Sequence, residues 1–179
     1  MKRVFQLAAG VALSLSILGS APPWHPGTVP DDADILNRFD TLVGVDVACA
    51  QLAAEKGHSA DVKAFARTLV SEHDLARQLA RDVAAMMNAT LKPSSDGARR
   101  AEHERTLKAL RERPDLAFDV LFVRHEVEYH KDLVDLINKE WIPAAKNADL
   151  SALLVQVGPA LDGHRTMAEA LLQKLVPAR

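Results

Sequence analysis

Five acidic and imidazole side chains stand at positions where the pattern of the chain otherwise places apolar residues: Asp46, His73, Glu126, His130 and His164. Each belongs to a segment whose apolar residues recur at three- and four-residue spacing, which is typical of a helix with one buried face. Carboxylate oxygens and imidazole nitrogens are suitable ligands for iron, zinc, manganese or copper. These five residues are therefore the predicted ligands of a metal or redox centre, and the identity of the metal stays open.

The predicted helices bring these groups to similar depths. Folding the first helical hairpin at its loop places Asp46 within one helical turn, about 6 Å, of His73. Folding the second hairpin places His164 at a level midway between Glu126 and His130. The relative height of the two hairpins is not determined by the sequence, because a long connection joins them.

A purely structural role is the alternative. Burying an ionisable group costs roughly several kcal/mol unless the group is paired or binds something. In this second interpretation, Asp46 and Glu126 accept hydrogen bonds from the three imidazoles and form a closed polar network that sets the helix register and binds nothing. Both interpretations are consistent with the sequence.

Four amphipathic segments should position these residues. They are separated by helix-stop and N-cap signals, and they cover approximately residues 35–55, 59–88, 115–141 and 147–175. Short loops join the first segment to the second and the third to the fourth. Residues 91–114 form a longer connection with a short charged helix at 98–111. The pattern predicts an all-α, four-helix ferritin-like bundle with a crossover connection.

The N-terminus has the form of a signal peptide, predicted at residues 1–20. Lys2 and Arg3 precede an apolar stretch at residues 4–18, which is too short for a membrane span. We expect a periplasmic or secreted protein with no stable membrane span after cleavage. A proline-rich linker is predicted at 21–31 and the bundle domain at 32–176.

Composition limits the partners. The chain has 22 basic and 24 acidic residues, so its net charge gives no reason to expect nucleic acid. A partner, where there is one, should be another protein or a second copy of this chain. Cys49 is the single cysteine, which excludes an intramolecular disulfide and suggests a small buried apolar residue.

Other chemical motifs are weak. His125 and His130 are five residues apart, about 140° around a helix, so they do not form the histidine pair of a zinc protease. His25, His58 and His103 lie in the predicted linker, loop and crossover, where solvent exposure is expected. Neither a glycine-rich phosphate loop nor a serine-hydrolase elbow occurs.

Several short fragments together resemble a bacterial family of exported ferritin-like proteins, a domain of unknown function (DUF4142). The fragments, in order, are Asp46-Val47, Gln51-Leu52-Ala53, Val62-Lys63-Ala64-Phe65-Ala66, Val70 to His73, Phe118-Asp119, Phe122, His130, Pro159 and His164. The resemblance covers about residues 35–175. It implies a ferritin-like bundle in the bacterial cell envelope and implies no known activity.

This chain departs from the family pattern in two places. Asp46 stands where the family usually has Glu, and Phe122 stands where it often has Tyr. The Glu-x-x-His pairs of di-iron bundles are also missing, because Val70 and Leu161 precede His73 and His164 at that offset. A ferroxidase centre is therefore not expected.

Three functional hypotheses follow. The leading one is an exported helical-bundle protein of unassigned activity with a buried Asp/Glu/His cluster, serving envelope stress protection or metal handling. The second is a metal-dependent redox enzyme that uses a subset of the same ligands. The third is a non-catalytic scaffold that binds another protein along the crossover helix.

Overall fold

The computed structural model describes residues 29–92 and 97–177, and every regular element in those ranges is helical. The helices are α1 (Asp32–Lys56), α2 (Ala60–Met86), α3 (Gly97–Glu112), α4 (Asp115–Leu136), α5 (Ile142–Ala144) and α6 (Ala148–Leu175), with a π-helical turn at Ile137–Trp141 between α4 and α5. The predicted all-α class is confirmed. The predicted signal peptide, and the linker up to residue 28, lie outside the described residues.

Three of the long helices begin with a side-chain N-cap. Asp31, Ser59 and Asn147 each accept a hydrogen bond from a backbone N–H in the first turn of α1, α2 and α6, which satisfies a donor that has no partner within the helix. At α4 the residue type of Asp115 favours an N-cap, but the residue does not act as one. Pro114 occupies the cap position, and Asp115 is the first helical residue with a φ of 46°.

The four long helices pack side by side as a helical bundle. α1 contacts α2 and α4, and α6 contacts α4 and α2, while the shorter α3 lies against α1 and α4. α3 is part of the predicted crossover connection. None of the described helices is both long and apolar enough to cross a membrane.

Two hydrophobic clusters fill the bundle, one toward each end. The first includes Phe39, Trp141 and Leu154, and the second includes Phe65 and Phe122. On every long helix the residues of one cluster are separated along the chain from those of the other by a short interval. The ionisable residues singled out above lie in these intervals, so they form a polar layer between two apolar ones.

Three polar contacts set the height of one hairpin against the other. Asp119 on α4 accepts hydrogen bonds from two backbone N–H groups of the α1–α2 loop, at 2.7 and 2.8 Å. At the other end, Asp32 on α1 accepts from two N–H groups of the α5–α6 loop, at 2.8 and 3.0 Å. Between them, the Tyr129 hydroxyl on α4 donates to the Leu42 carbonyl on α1 at 2.8 Å. These contacts align the helices, so that the segments between the two hydrophobic clusters lie at the same height in the bundle.

Candidate metal centre

The five predicted residues lie together in one buried layer. Asp46 comes from α1, His73 from α2, Glu126 and His130 from α4, and His164 from α6. Each side chain is at most 2% exposed to solvent. They face inward because each occupies the apolar stripe of its helix, and the apolar neighbours on both sides exclude water.

Three imidazoles form the centre of this layer. The ring centroids of His73, His130 and His164 lie 5.0 to 5.4 Å apart. One ring nitrogen of each lies within 4.8 Å of the other two. Nitrogen ligands on a tetrahedral zinc ion lie about 3.4 Å apart, so small side-chain rotations would bring these atoms to ligand spacing.

In His130 and His164, a hydrogen bond to a neighbouring oxygen determines which ring nitrogen carries the proton. His130 Nδ1 lies 3.0 Å from the Glu126 carbonyl oxygen, and His164 Nε2 lies 2.6 Å from the Glu72 carboxylate. Both oxygens only accept, so each ring donates there and keeps a lone pair on its other nitrogen. Those other nitrogens, His130 Nε2 and His164 Nδ1, are buried and have no hydrogen-bond partner among the described residues. A metal-binding histidine usually donates the N–H of its other ring nitrogen to a carbonyl or a carboxylate in this way.

Asp46 lies against the imidazole group. Its Oδ2 is 2.7 Å from His73 Nε2 and 3.7 Å from His130 Nε2. Although His73 Nε2 is close to Asp46 Oδ2, none of these three atoms forms a hydrogen bond of acceptable geometry within the described residues. Burial raises the pKa of Asp46, but the contact with His73 and the nearby imidazoles lower it more, so its pKa lies well below the usual value. Asp46 is therefore a carboxylate.

Glu126 has the opposite protonation preference. It is fully buried, and its Oε2 lies 3.4 Å from His130 Nδ1. Burial, and then the charge of Asp46, raise the pKa of Glu126 well above its usual value. One of two neighbouring carboxyls is thus ionised while the other holds a proton, which is the expected outcome for two carboxylic acids at one site.

Burial favours the neutral form of three imidazoles in this layer through their pKa values. Burial lowers the pKa of His130 to about 4, and it also lowers the pKa of His125 and of His164. Neutral imidazole is the form that binds metal ions. The arrangement therefore offers an ionised carboxylate and unprotonated ring nitrogens in a water-excluded space.

The sequence profile of a domain of unknown function, DUF4142, matches residues 20–171. The chain belongs to the DUF4142 family. This confirms the resemblance drawn from the short fragments. No curated protein and no solved structure matches the chain.

The structure of this DUF4142 protein also brings in residues that the sequence did not single out. His125 is partly buried, and one of its nitrogens lies within 4.8 Å of carboxyl oxygens of Asp46 and Glu126. Its pairing with these carboxyls depends on a neighbouring helix, which is why spacing from His130 did not reveal it. Glu72 is half exposed, with 51% of its side chain accessible, so its polarity and position suggested only a surface residue.

The predicted exposure of His103 is wrong. The residue is 8% exposed, and its Nδ1 lies 3.7 Å from Cys49 Sγ. Its burial results from α3 packing against α1 and α4, and the charged composition of the crossover gave no sign of that contact. His58 is exposed, as expected. Cys49 is fully buried as expected, and burial raises the pKa of its thiol.

Proposed function

We propose that this protein is an exported, ferritin-like four-helix bundle that binds a transition metal ion in its buried polar layer. The imidazoles of His73, His130 and His164 would hold the ion together with the carboxylate of Asp46. Metal handling in the bacterial cell envelope is the function that this site supports best. Export to the periplasm or beyond rests on the form of residues 1–20.

One observation carries the proposal: the inner nitrogens of His130 and His164 are buried without a hydrogen-bond partner among the described residues, in a group of three imidazoles whose nitrogens lie within 4.8 Å of one another. A closed structural network would require His130 and His164 to donate toward Asp46 or Glu126. Instead, each ring donates outward, to a carbonyl and to Glu72, and leaves its inner nitrogen without a partner. Leaving a buried polar atom unsatisfied costs about 1–3 kcal/mol. A bound cation satisfies several such atoms at once.

The donor set indicates the kind of metal. Three imidazole nitrogens and one carboxylate oxygen suit zinc, iron, manganese and copper better than calcium or magnesium, which prefer oxygen ligands alone. When bound, such an ion could act as a Lewis acid or as a redox centre. No geometric feature favours catalysis over storage or transfer, so we assign binding and no reaction.

The test is metal analysis of the full chain purified without a polyhistidine tag. The protein is stripped with a chelator, dialysed against Zn(II), Mn(II), Fe(II) or Cu(II), and analysed by plasma mass spectrometry. We expect stoichiometric metal in the wild type and its loss in a His73→Ala, His164→Ala double variant. The exposed His58 supplies a matched control, His58→Ala, which should bind as the wild type does.

Thermal unfolding provides a second measurement. Free metal at about 100 times its Kd should stabilise the wild-type fold by about 2.7 kcal/mol and leave the double variant unchanged. A wild-type chain that retains no metal, with a double variant that unfolds at much lower temperature, would instead support the structural network. Equal metal content in both proteins would also overturn the proposal.

A further inference from the structure

A second group of ligand atoms lies beside the imidazole group. One oxygen from each of the carboxyls of Asp46 and Glu126 and one nitrogen of His125 lie within 4.8 Å of one another. His125 is five residues from His130, about 140° around the helix, so the two rings serve different positions. Asp46 therefore belongs to both groups, because it contacts His73 and His130 and also lies within 4.8 Å of His125 and Glu126.

Several polar atoms in this second group lack a partner. The protonated Glu126 carboxyl hydrogen-bonds to Asp46, and Asp46 Oδ2 contacts His73, but Nε2 of His125 and the remaining carboxyl oxygens are buried without a hydrogen bond from any described residue. Asp46 is 1% exposed and Glu126 is not exposed at all. Several unsatisfied atoms in so small a volume are more than a folded core normally tolerates.

The charges at this position also lack compensation. Within the described part of the chain, the ion-pair contacts of Asp46 and Glu126 are with imidazoles only, and no lysine or arginine reaches them. Two neighbouring carboxyls repel each other when both are ionised, which is why Glu126 holds a proton beside the Asp46 carboxylate. A divalent cation between them would take the place of that proton and bind oxygens of both carboxyls, whereas one more hydrogen-bond donor would satisfy only one atom.

We propose that Asp46, His125 and Glu126 bind a second divalent metal ion next to the ion of the imidazole group, with Asp46 shared between the two. A carboxylate has two oxygens and commonly joins two metal ions about 3.5–4 Å apart. The second site is richer in oxygen than the first, so it suits Mn(II) or Fe(II) as well as Zn(II). This inference rests on the proposed function, because the two sites have Asp46 in common.

The test counts metal ions per chain in variants of the second site alone. The stripped full chain is dialysed against Mn(II) or Zn(II), and bound metal is measured in the wild type, His125→Ala and Glu126→Gln. Glu128→Gln is the matched control, because Glu128 is exposed on the same helix. We expect two ions in the wild type and in the control, and one ion in each variant. Glu126→Gln keeps the volume of the side chain, and circular dichroism verifies that each variant is folded.

The possible counts separate the two proposals. One ion in the wild type, with one ion still in the variants, overturns the second site and leaves the first intact. No ion in the wild type overturns both. Two ions in the wild type and two in the variants overturn the assignment to His125 and Glu126. One ion in the wild type and none in the variants overturns the proposal of two sites, because a single ion would then depend on these residues.

A spectroscopic measurement tests the adjacency of the sites. Two Mn(II) ions bridged by Asp46 should be magnetically coupled, so the wild type loaded with Mn(II) should lack the six-line electron paramagnetic resonance signal of an isolated ion. His125→Ala should recover that signal. An isolated-ion signal in the fully loaded wild type would overturn the shared position of Asp46.

Discussion

Acid should destabilise the metal-free protein through its buried imidazoles, and the contribution of His130 can be measured separately. His130 is not exposed to solvent, and burial lowers its pKa to about 4, against about 6.5 in an unfolded chain. Because the folded pKa is the lower one, the unfolded state binds more protons between these values. Stability contributed by the neutral ring is therefore fully present above about pH 6.5 and is lost as the pH falls toward about 4.

The size of this effect follows from the two pKa values. At about pH 4.5, protonation of His130 in the unfolded state alone lowers the free energy of unfolding by about 2.5 kcal/mol. That loss is a large part of the roughly 5–15 kcal/mol that stabilises a typical domain. Glu126 acts in the opposite direction, because its raised pKa makes the folded state bind the extra proton.

The variant His130→Gln isolates the contribution of the ring. Urea unfolding is followed by circular dichroism in the presence of a chelator, at several values from about pH 7.5 to about pH 4.5. Between these limits the wild type should lose about 2.5 kcal/mol more than the variant, whatever their difference at neutral pH. Glu126 is common to both proteins, so to first order its effect cancels in the comparison.

A matched substitution at an exposed histidine controls for general effects of charge. The imidazole of His58 is 58% accessible, and His58→Gln should have the same pH dependence as the wild type. Parallel loss of stability in the wild type and His130→Gln would refute the reasoning, since it would mean that His130 is not held neutral in the folded protein.

Two further predictions concern stability. Asp119→Ala should lower the free energy of unfolding by about 2–4 kcal/mol in chemical denaturation, because the carboxylate is fully buried and accepts the N–H groups of His58 and Ser59; a loss below half a kcal/mol would contradict the role of this contact. Gly163→Ala should raise the melting temperature, since a Cβ there meets nothing within 4 Å and alanine favours a helix by up to about 1 kcal/mol. Gly57→Ala should lower it, because its Cβ would lie 2.7 Å from a backbone oxygen; the same sign in both glycine variants would contradict the structure.

Much of the candidate site could be predicted from periodicity. A helix repeats every 3.6 residues, so the direction of Asp46 or His164 relative to its apolar neighbours follows from spacing alone. Short loops then determine depth within each hairpin, because a few residues cannot shift one helix along the other by more than about a turn. These two constraints account for the predicted grouping within each half of the bundle.

Contacts between distant segments account for what spacing missed. His125 points away from His130 on its own helix, and only the position of α1 brings the Asp46 carboxyl beside it. His103 is covered because α3 lies against α1 and α4. Glu72 reaches His164 across the interface between α2 and α6. None of these pairings has a signal in local spacing, since each depends on two helices that are far apart in sequence.

The sequence by itself determined the helical class, the family and the residues that face inward, because local periodicity and short loops act over a few residues at a time. Tertiary structure alone decided that the two hairpins align at one height, through the contacts of Asp119, Asp32 and Tyr129. It also decided which nitrogen of His164 faces the interior. The physical reason is that a lone pair is oriented by the hydrogen bond on the opposite side of its ring. For His164, the partner in that bond comes from another helix.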